Sequence, residues 1–170
     1  LLGGEIFLRD DWFEIAKAAT KAEMRLILIS NGLLLSEANY AKLKEIPIHL
    51  IGISLDGANA QSYKDMRGVD GFHKVIELLQ RLTKDDHFPH VNAITTFTRE
   101  NLSAWDDFVT LFAGSSITWQ VQLANKGGSR FDEEKFITRE EYGWFFDKAV
   151  KTLDEFKNLP LRFMDDFGYC

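Results

Sequence analysis

The stretch "IHLIGISLDG", Ile48–Gly57, decides the reading of this chain. Its first eight residues form a short aliphatic run, the kind that makes a strand covered on both faces in a parallel sheet. The run ends in Ser54-Leu55-Asp56-Gly57, where a hydroxyl and a carboxylate flank an apolar residue directly off the strand. Ser and Asp supply directional hydrogen bonds there, and glycine lets the backbone come close to a ligand.

Working outward, three more runs have the same character: "RLILIS" (Arg25–Ser30), "HVNAITTF" (His90–Phe97) and "ITWQVQLA" (Ile117–Ala124). Leu1 and Leu2 read as the tail of a further run. Helical patterns lie between them. Trp12, Phe13, Ile15, Ala16 and Ala19 mark one apolar stripe after Asp10 and Asp11; Tyr40, Leu43 and Ile46 mark a second, after the cap Ser36. Phe72, Val75, Ile76, Leu79 and Leu82 form a third, and Trp105, Phe108, Val109 and Phe112 a fourth. A last helix starts at Thr138, with Glu141 three residues on as a capping box, and runs to about Phe156. Repeating βα units imply parallel strands joined by right-handed crossovers. The expectation is an α/β fold of five parallel strands with helices outside. The strand ending at Leu1 would be a raw edge, which invites pairing with a second copy.

In such folds ligands sit at the carboxyl ends of the strands. Each expected strand ends there in small residues and a hydrogen-bonding side chain: Gly3-Gly4-Glu5, then Ser30-Asn31-Gly32, then Ser54-Leu55-Asp56-Gly57. The polar stretch ending in Arg99-Glu100-Asn101 follows Thr95, and Gln122 with Gly127-Gly128 follows Val121. Taken singly, Gly3-Gly4 and Asn31-Gly32 also read as plain turns. Arg67 also reads as the exposed partner of Asp65 or Asp70. The succession at neighbouring strand ends is the stronger signal, because it converges on one pocket.

Composition bounds the function. The 170 residues suit one domain, and a net charge of -6 argues against nucleic acid and anionic membranes as partners. No apolar run approaches the roughly 18 residues of a membrane span, and no signal segment opens the chain, so the expected location is cytoplasmic. The one cysteine, Cys170, excludes an internal disulfide framework. His49, His73, His87 and His90 lack metal-ligand spacing, and no phosphate-cradling G-x-x-x-x-G-K is present. Trp144, Phe145 and Phe146 form an aromatic patch on the last helix, and "RFDEEKF" (Arg130–Phe136) reads as a solvated loop.

The ordered motifs "GGE", "SNG", "SLDG" and "MRG", the last followed by "GFHKVIELLQRL", resemble the radical S-adenosylmethionine (radical SAM) superfamily from Leu1 to about Asn125. The likeness is to its peptide- and protein-modifying branch, which includes anaerobic sulfatase-maturating enzymes, the pyrroloquinoline quinone synthesis enzyme and peptide maturases. The resemblance implies a partial (β/α)6 TIM-like barrel. It also implies that the first strand, with the three cysteines that hold a [4Fe–4S] cluster, precedes Leu1, so that this segment is a truncated and inactive piece of its parent. Residues 1–158 would be the core, and 159–170 the start of a C-terminal SPASM-type extension in which Cys170 ligates an auxiliary iron–sulfur cluster.

The same resemblance places SAM on particular residues. Glu5, with the backbone of Gly3 and Gly4, would hold the methionyl ammonium. Ser30 keeps the hydroxyl of the family's usual Thr, with Asn31 beside it. Ser54 and Asp56 would meet the ribose hydroxyls or the methionyl carboxylate, Arg67 would pair that carboxylate, and the Gln122–Leu123 strand end would lie against adenine. The implied activity is reductive cleavage of SAM to a 5′-deoxyadenosyl radical that modifies a peptide or protein side chain. The electron donor would be of flavodoxin or ferredoxin type. No residue is assigned a catalytic acid or base. The alternative is an α/β nucleotide- or SAM-binding domain without radical chemistry.

Overall fold

The computed structural model describes residues 1, 4–124 and 133–164. The expectations for Gly3, Gly127-Gly128 and Cys170 lie outside them. Helix α1 (Trp12–Lys21) leads into β1 (Leu26–Ser30); α2 (Glu37–Leu43) and β2 (Ile48–Ser54) follow. Then come α3 (Ala60–Arg67), α4 (Phe72–Thr83), β3 (Val91–Phe97), α5 (Trp105–Phe112) and β4 (Thr118–Leu123). Helix α6 (Arg139–Glu155) leads to β5 (Leu161–Phe163).

Among the described residues the sheet has five strands in the order β1-β2-β3-β4-β5, and every neighbouring pair is parallel. A sequential order with right-handed crossovers carries every connecting helix to the same face. The sheet curls as a partial barrel, in agreement with the expected fold. Leu1 lies along the outer edge of β1: its amino group donates to Ile27 O, and Ile29 N–H donates to Leu1 O at 3.3 Å.

Two elements were not anticipated. Helix α3 buries only Tyr63 and so carries no apolar stripe; it forms because Asn59 and Ser62 close a capping box ahead of it and Gly68 ends it at φ 72°. Strand β5 has three half-exposed to exposed residues and follows Pro160, so it shows no aliphatic run, yet it pairs with β4 at Trp119↔Leu161. The sheet therefore continues past residue 158 to Phe163. The caps at Ser36 and Thr138 form as expected. Asp11 precedes α1 without a capping hydrogen bond, because its carboxylate is held by Arg9 at 2.8 and 2.9 Å.

Strand parity gives the sheet two unlike faces. Trp119 stacks on Phe108 and Phe112 at 5.6 and 5.5 Å, and Phe97 meets Trp105 and Phe145 at 5.4 Å each, so these side chains face the helices. The indole N–H groups of Trp105 and Trp119 are satisfied, the first by Thr152 and the second by Thr95. Phe145 belongs to this core, whereas its neighbours Trp144 and Phe146 are exposed. Successive side chains alternate, so Ser54, Asn92, Thr96, Gln120, Gln122 and Arg162 lie on the concave face. Ile94 on that face is buried but stands apart from the helix-side core, and Ile27 is 42% exposed.

Candidate functional site

The strand exits gather at one rim of the sheet. Glu5 caps a 3-10 turn at Ile6–Leu8 and is almost fully buried. Its Oε1 accepts from Ser30 Oγ at 2.8 Å and Phe7 N–H at 3.2 Å; its Oε2 accepts from Asn31 N–H at 2.7 Å. Ser30 Oγ in turn accepts from Gly32 N–H at 3.0 Å. Gly32 sits at φ +77°, and a Cβ there would come within 2.9 Å of Ile53, so the exit of β1 requires glycine at this point. Three neutral donors aim the Glu5 carboxylate, and it makes no ion pair among the described residues. A buried carboxylate accepts about four hydrogen bonds and favours a cation beside it. This arrangement fits an ammonium group.

The β2 exit is built from Asp56. Its Oδ1 accepts from Thr96 N–H at 2.8 Å, and its Oδ2 faces Arg67 Nε at 3.4 Å. Burial pushes the Asp56 carboxyl above its ordinary range, against the opposing pull of Arg67 and of the Thr96 N–H. Arg67 reaches back from the last turn of α3, which lies against the strand exit because Gly57 has no side chain. A Cβ at Gly57 would stand 2.0 Å from Tyr63 N. Tyr63 is wholly buried, and burial pushes its phenol up against the opposing pull of Arg67.

These contacts sort the sequence-predicted residues. Glu5, Ser30 and the Asn31 backbone come together, and Asp56 and Arg67 form a second group one strand away. Arg67 pairs with Asp56 rather than with Asp65 or Asp70; Asp65 instead accepts from Gln61 at 2.8 Å. The Asn31 side chain accepts from Leu33 N–H at 2.8 Å, which closes the turn. Ser54 is half-buried on the concave face, and its hydroxyl makes no hydrogen bond among the described residues. Gln122 Nε2 donates to Thr96 Oγ1 at 2.7 Å, while Leu123 packs against the helix-side core. Gly4 takes φ +52°.

Sequence reasoning passed over Asn101 as part of a polar stretch. Its Nδ2 donates to Asp56 O and Thr96 O at 3.0 and 3.1 Å, and its Oδ1 accepts from Thr98 N–H at 2.8 Å. Asn101 is 3% exposed and ties the β2 exit to the β3 exit. No local pattern announces this, because an Asn in a turn reads the same whether or not it reaches a second strand.

A SAM-like zwitterion fits the residues present: Glu5 suits the ammonium, and Ser54 and the Asp56–Arg67 pair offer a hydroxyl, an acceptor and a forked donor. The donor set for an iron–sulfur cluster is different. Such clusters are held by several thiolates, and this chain's one cysteine is Cys170. No group of three or more His, Cys, Asp or Glu that could hold a metal occurs among the described residues.

Comparisons with known proteins bear on the family and the fold. The sequence profile described as the radical SAM superfamily matches residues 1–112. The chain is 37% identical over 103 residues to the AdoMet-dependent heme synthase of Methanosarcina barkeri, covering 60% of this chain and 29% of that protein. It is 28% identical over 157 residues to the mycofactocin maturase MftC of Mycolicibacterium smegmatis, covering 89% and 40% respectively. The crystal structure of Streptococcus suis SuiB bound to precursor peptide SuiA superposes with a TM-score of 0.79 at 12% identity, over 97% of this chain and 37% of that one. The last likeness is one of fold. The chain spans well under half the length of these relatives.

Proposed function

We propose, from the premise that this chain belongs to the radical SAM superfamily, that it binds SAM at the rim formed by Glu5, Ser30, Ser54, Asp56 and Arg67, and that its parent enzyme modifies a peptide or protein side chain. A maturase among the relatives and a fold shared with a peptide-bound enzyme support that substrate class. When bound, SAM and a [4Fe–4S] cluster supply the superfamily's reductive cleavage to a 5′-deoxyadenosyl radical, with the cluster ligands outside this chain and a flavodoxin- or ferredoxin-type protein as the electron donor. The chain's own residues bind and orient. Glu5, held by three donors, fixes the ammonium end; Arg67 meets the carboxylate; Ser54 and Asp56 meet the ribose hydroxyls. Apolar Leu55, between those two in the chain, is fully buried and anchors the exit in the core. The cytoplasm suits this chemistry, and no helix among the described residues is long and apolar enough to cross a membrane.

The observation that carries the reading is the buried Glu5 carboxylate, aimed by Ser30 and two backbone N–H groups and without a cation among the described residues. Equilibrium SAM titration of the full-length, anaerobically reconstituted enzyme tests it. Glu5→Gln should weaken SAM binding about tenfold or more, the loss expected when a charge-assisted contact becomes neutral. Unchanged affinity would remove the site. SAM binding with no release of 5′-deoxyadenosine under dithionite would instead favour a binding domain without radical chemistry.

A further inference from the structure

We infer that the concave face of the sheet carries a carboxylate-binding subsite for the substrate, built by Arg162 on β5 and Gln120 on β4. The inference rests on the proposed function in one respect: the substrate is taken to lie on the face beside the SAM-binding rim.

Arg162 is exposed, while its neighbours Leu161 and Phe163 both pack against the helix-side core. Alternation along a strand therefore directs Arg162 to the opposite face, into the curve of the sheet. Its Cα partner across the ladder is Gln120, whose own partner is Ile94, and Ile94 pairs with Ser54. These four positions form one row across the concave face. Arg162 is its charged member, and it makes no ion pair among the described residues. Arg67 and Arg99, by contrast, each have a carboxylate partner.

Gln120 adds directed donors. Its Oε1 accepts from Asn92 Nδ2 at 2.5 Å, which fixes the amide and leaves both N–H groups of Nε2 without an acceptor among the described residues. A forked guanidinium one strand away from a fixed amide donor matches the two oxygens of a carboxylate. One cation with no second basic residue in the row suits a monoanion better than a phosphate. The desolvation argument points the same way. A substrate that covers this face removes water from Arg162, and an arginine so buried is tolerated when paired. The occupant must therefore bring the anion.

SAM also has a carboxylate, but the row separates Arg162 from Ser54 by three strand spacings, about 14 Å at roughly 4.8 Å each. The SAM carboxylate at the Asp56–Arg67 exit and a substrate carboxylate at Arg162 are thus two different sites.

The test uses the full-length protein and 4-fluorobenzoate as the probe, followed by fluorine NMR, with 4-fluorobenzamide as the neutral twin. The benzoate should bind at least fivefold more tightly than the amide. Arg162→Gln should abolish that preference, Arg162→Lys should retain part of it, and Arg139→Gln, an exposed arginine opening α6, should leave it intact. Equal binding of benzoate and benzamide, or a preference unmoved by Arg162→Gln, would overturn the inference. In the full-length reconstituted enzyme Arg162→Gln should leave SAM affinity within twofold. A parallel loss of SAM affinity would assign the carboxylate to SAM and overturn the substrate subsite. Failure of the wild-type enzyme to release 5′-deoxyadenosine would count against the proposed function alone, because the benzoate titration needs no radical chemistry.

Discussion

Trp119 and Gln120 are neighbours in the chain with opposite surroundings. Trp119 is fully buried between Phe108, Phe112 and Trp105, with its indole N–H bonded to Thr95. Gln120 looks into the curve of the sheet, held by Asn92 and followed across the ladder by Arg162. The helix face is organised by apolar area and ring packing, whose contribution is large and tolerant of direction. The concave face and the rim are organised by hydrogen bonds, which contribute less to stability and fix atoms in place. One sheet thus separates the work of holding the fold from the work of presenting polar groups.

Substitutions on the two faces test that separation. The largest effect is expected from Trp119→Ala, which should lower the unfolding free energy by about 3–5 kcal/mol, read by urea denaturation. Gln122→Ala on the concave side should cost less than about 1 kcal/mol. Comparable losses would break the distinction between the faces.

Next comes Gly57→Ala. Its Cβ would meet the Tyr63 backbone, so α3 must shift away from the β2 exit. A loss of about 1–3 kcal/mol is expected, together with weaker SAM binding in the full-length enzyme, since Arg67 moves with α3. A stability loss without any change in SAM affinity would detach α3 from the site.

Asn101→Ala sharpens the comparison at the rim. It leaves Asp56 O, Thr96 O and Thr98 N–H each without the Asn101 partner, and should cost about 1–3 kcal/mol. Asn101→Asp keeps the acceptor for Thr98 but sets a carboxylate against two carbonyls, so it should be no better than alanine. Recovery of stability with Asp would show that the clamp to the β2 exit is unimportant.

The smallest effect is a pH dependence. Burial holds the Asp56 carboxyl above its ordinary value, so the folded state keeps its proton at a pH where the unfolded chain has released it. For a raised carboxyl, stability is greatest below the unfolded value near 3.9 and declines as pH rises through the folded value. Asp56→Asn removes that titration. Its stability relative to wild type should therefore improve as pH rises above about 4, measured by urea denaturation across pH 4–7. A relative stability that stays flat or falls over that range would contradict the burial of an ionising carboxyl at this exit.

Much of the fold was legible from pattern. The aliphatic runs at Arg25–Ser30, Ile48–Leu55, His90–Phe97 and Ile117–Ala124 became β1 to β4, and the caps at Ser36 and Thr138 formed where they were read. Local chemistry suffices there, because alternation of runs and capping side chains act within a few residues. At the site, Glu5, Ser30 and Asp56 were marked by their succession at strand ends, and Arg67 by the "MRG" motif that carries the family resemblance. Helix α3 and strand β5 were not legible, since one buries a single side chain and the other is three residues long.

By itself, then, the sequence determined the βα alternation, the parallel sheet and the rim to which Glu5, Ser30 and Asp56 belong, because each follows from spacing along the chain. Tertiary structure alone decided that Arg67 answers Asp56, that Asn101 joins two strand exits across 45 residues, and that Arg162 faces the curve of the sheet beside Gln120. The physical reason is the range of the interactions. A hydrogen bond or an unpaired charge has meaning only relative to groups that folding brings near, and periodicity gives the face of a residue but not its neighbour across the ladder.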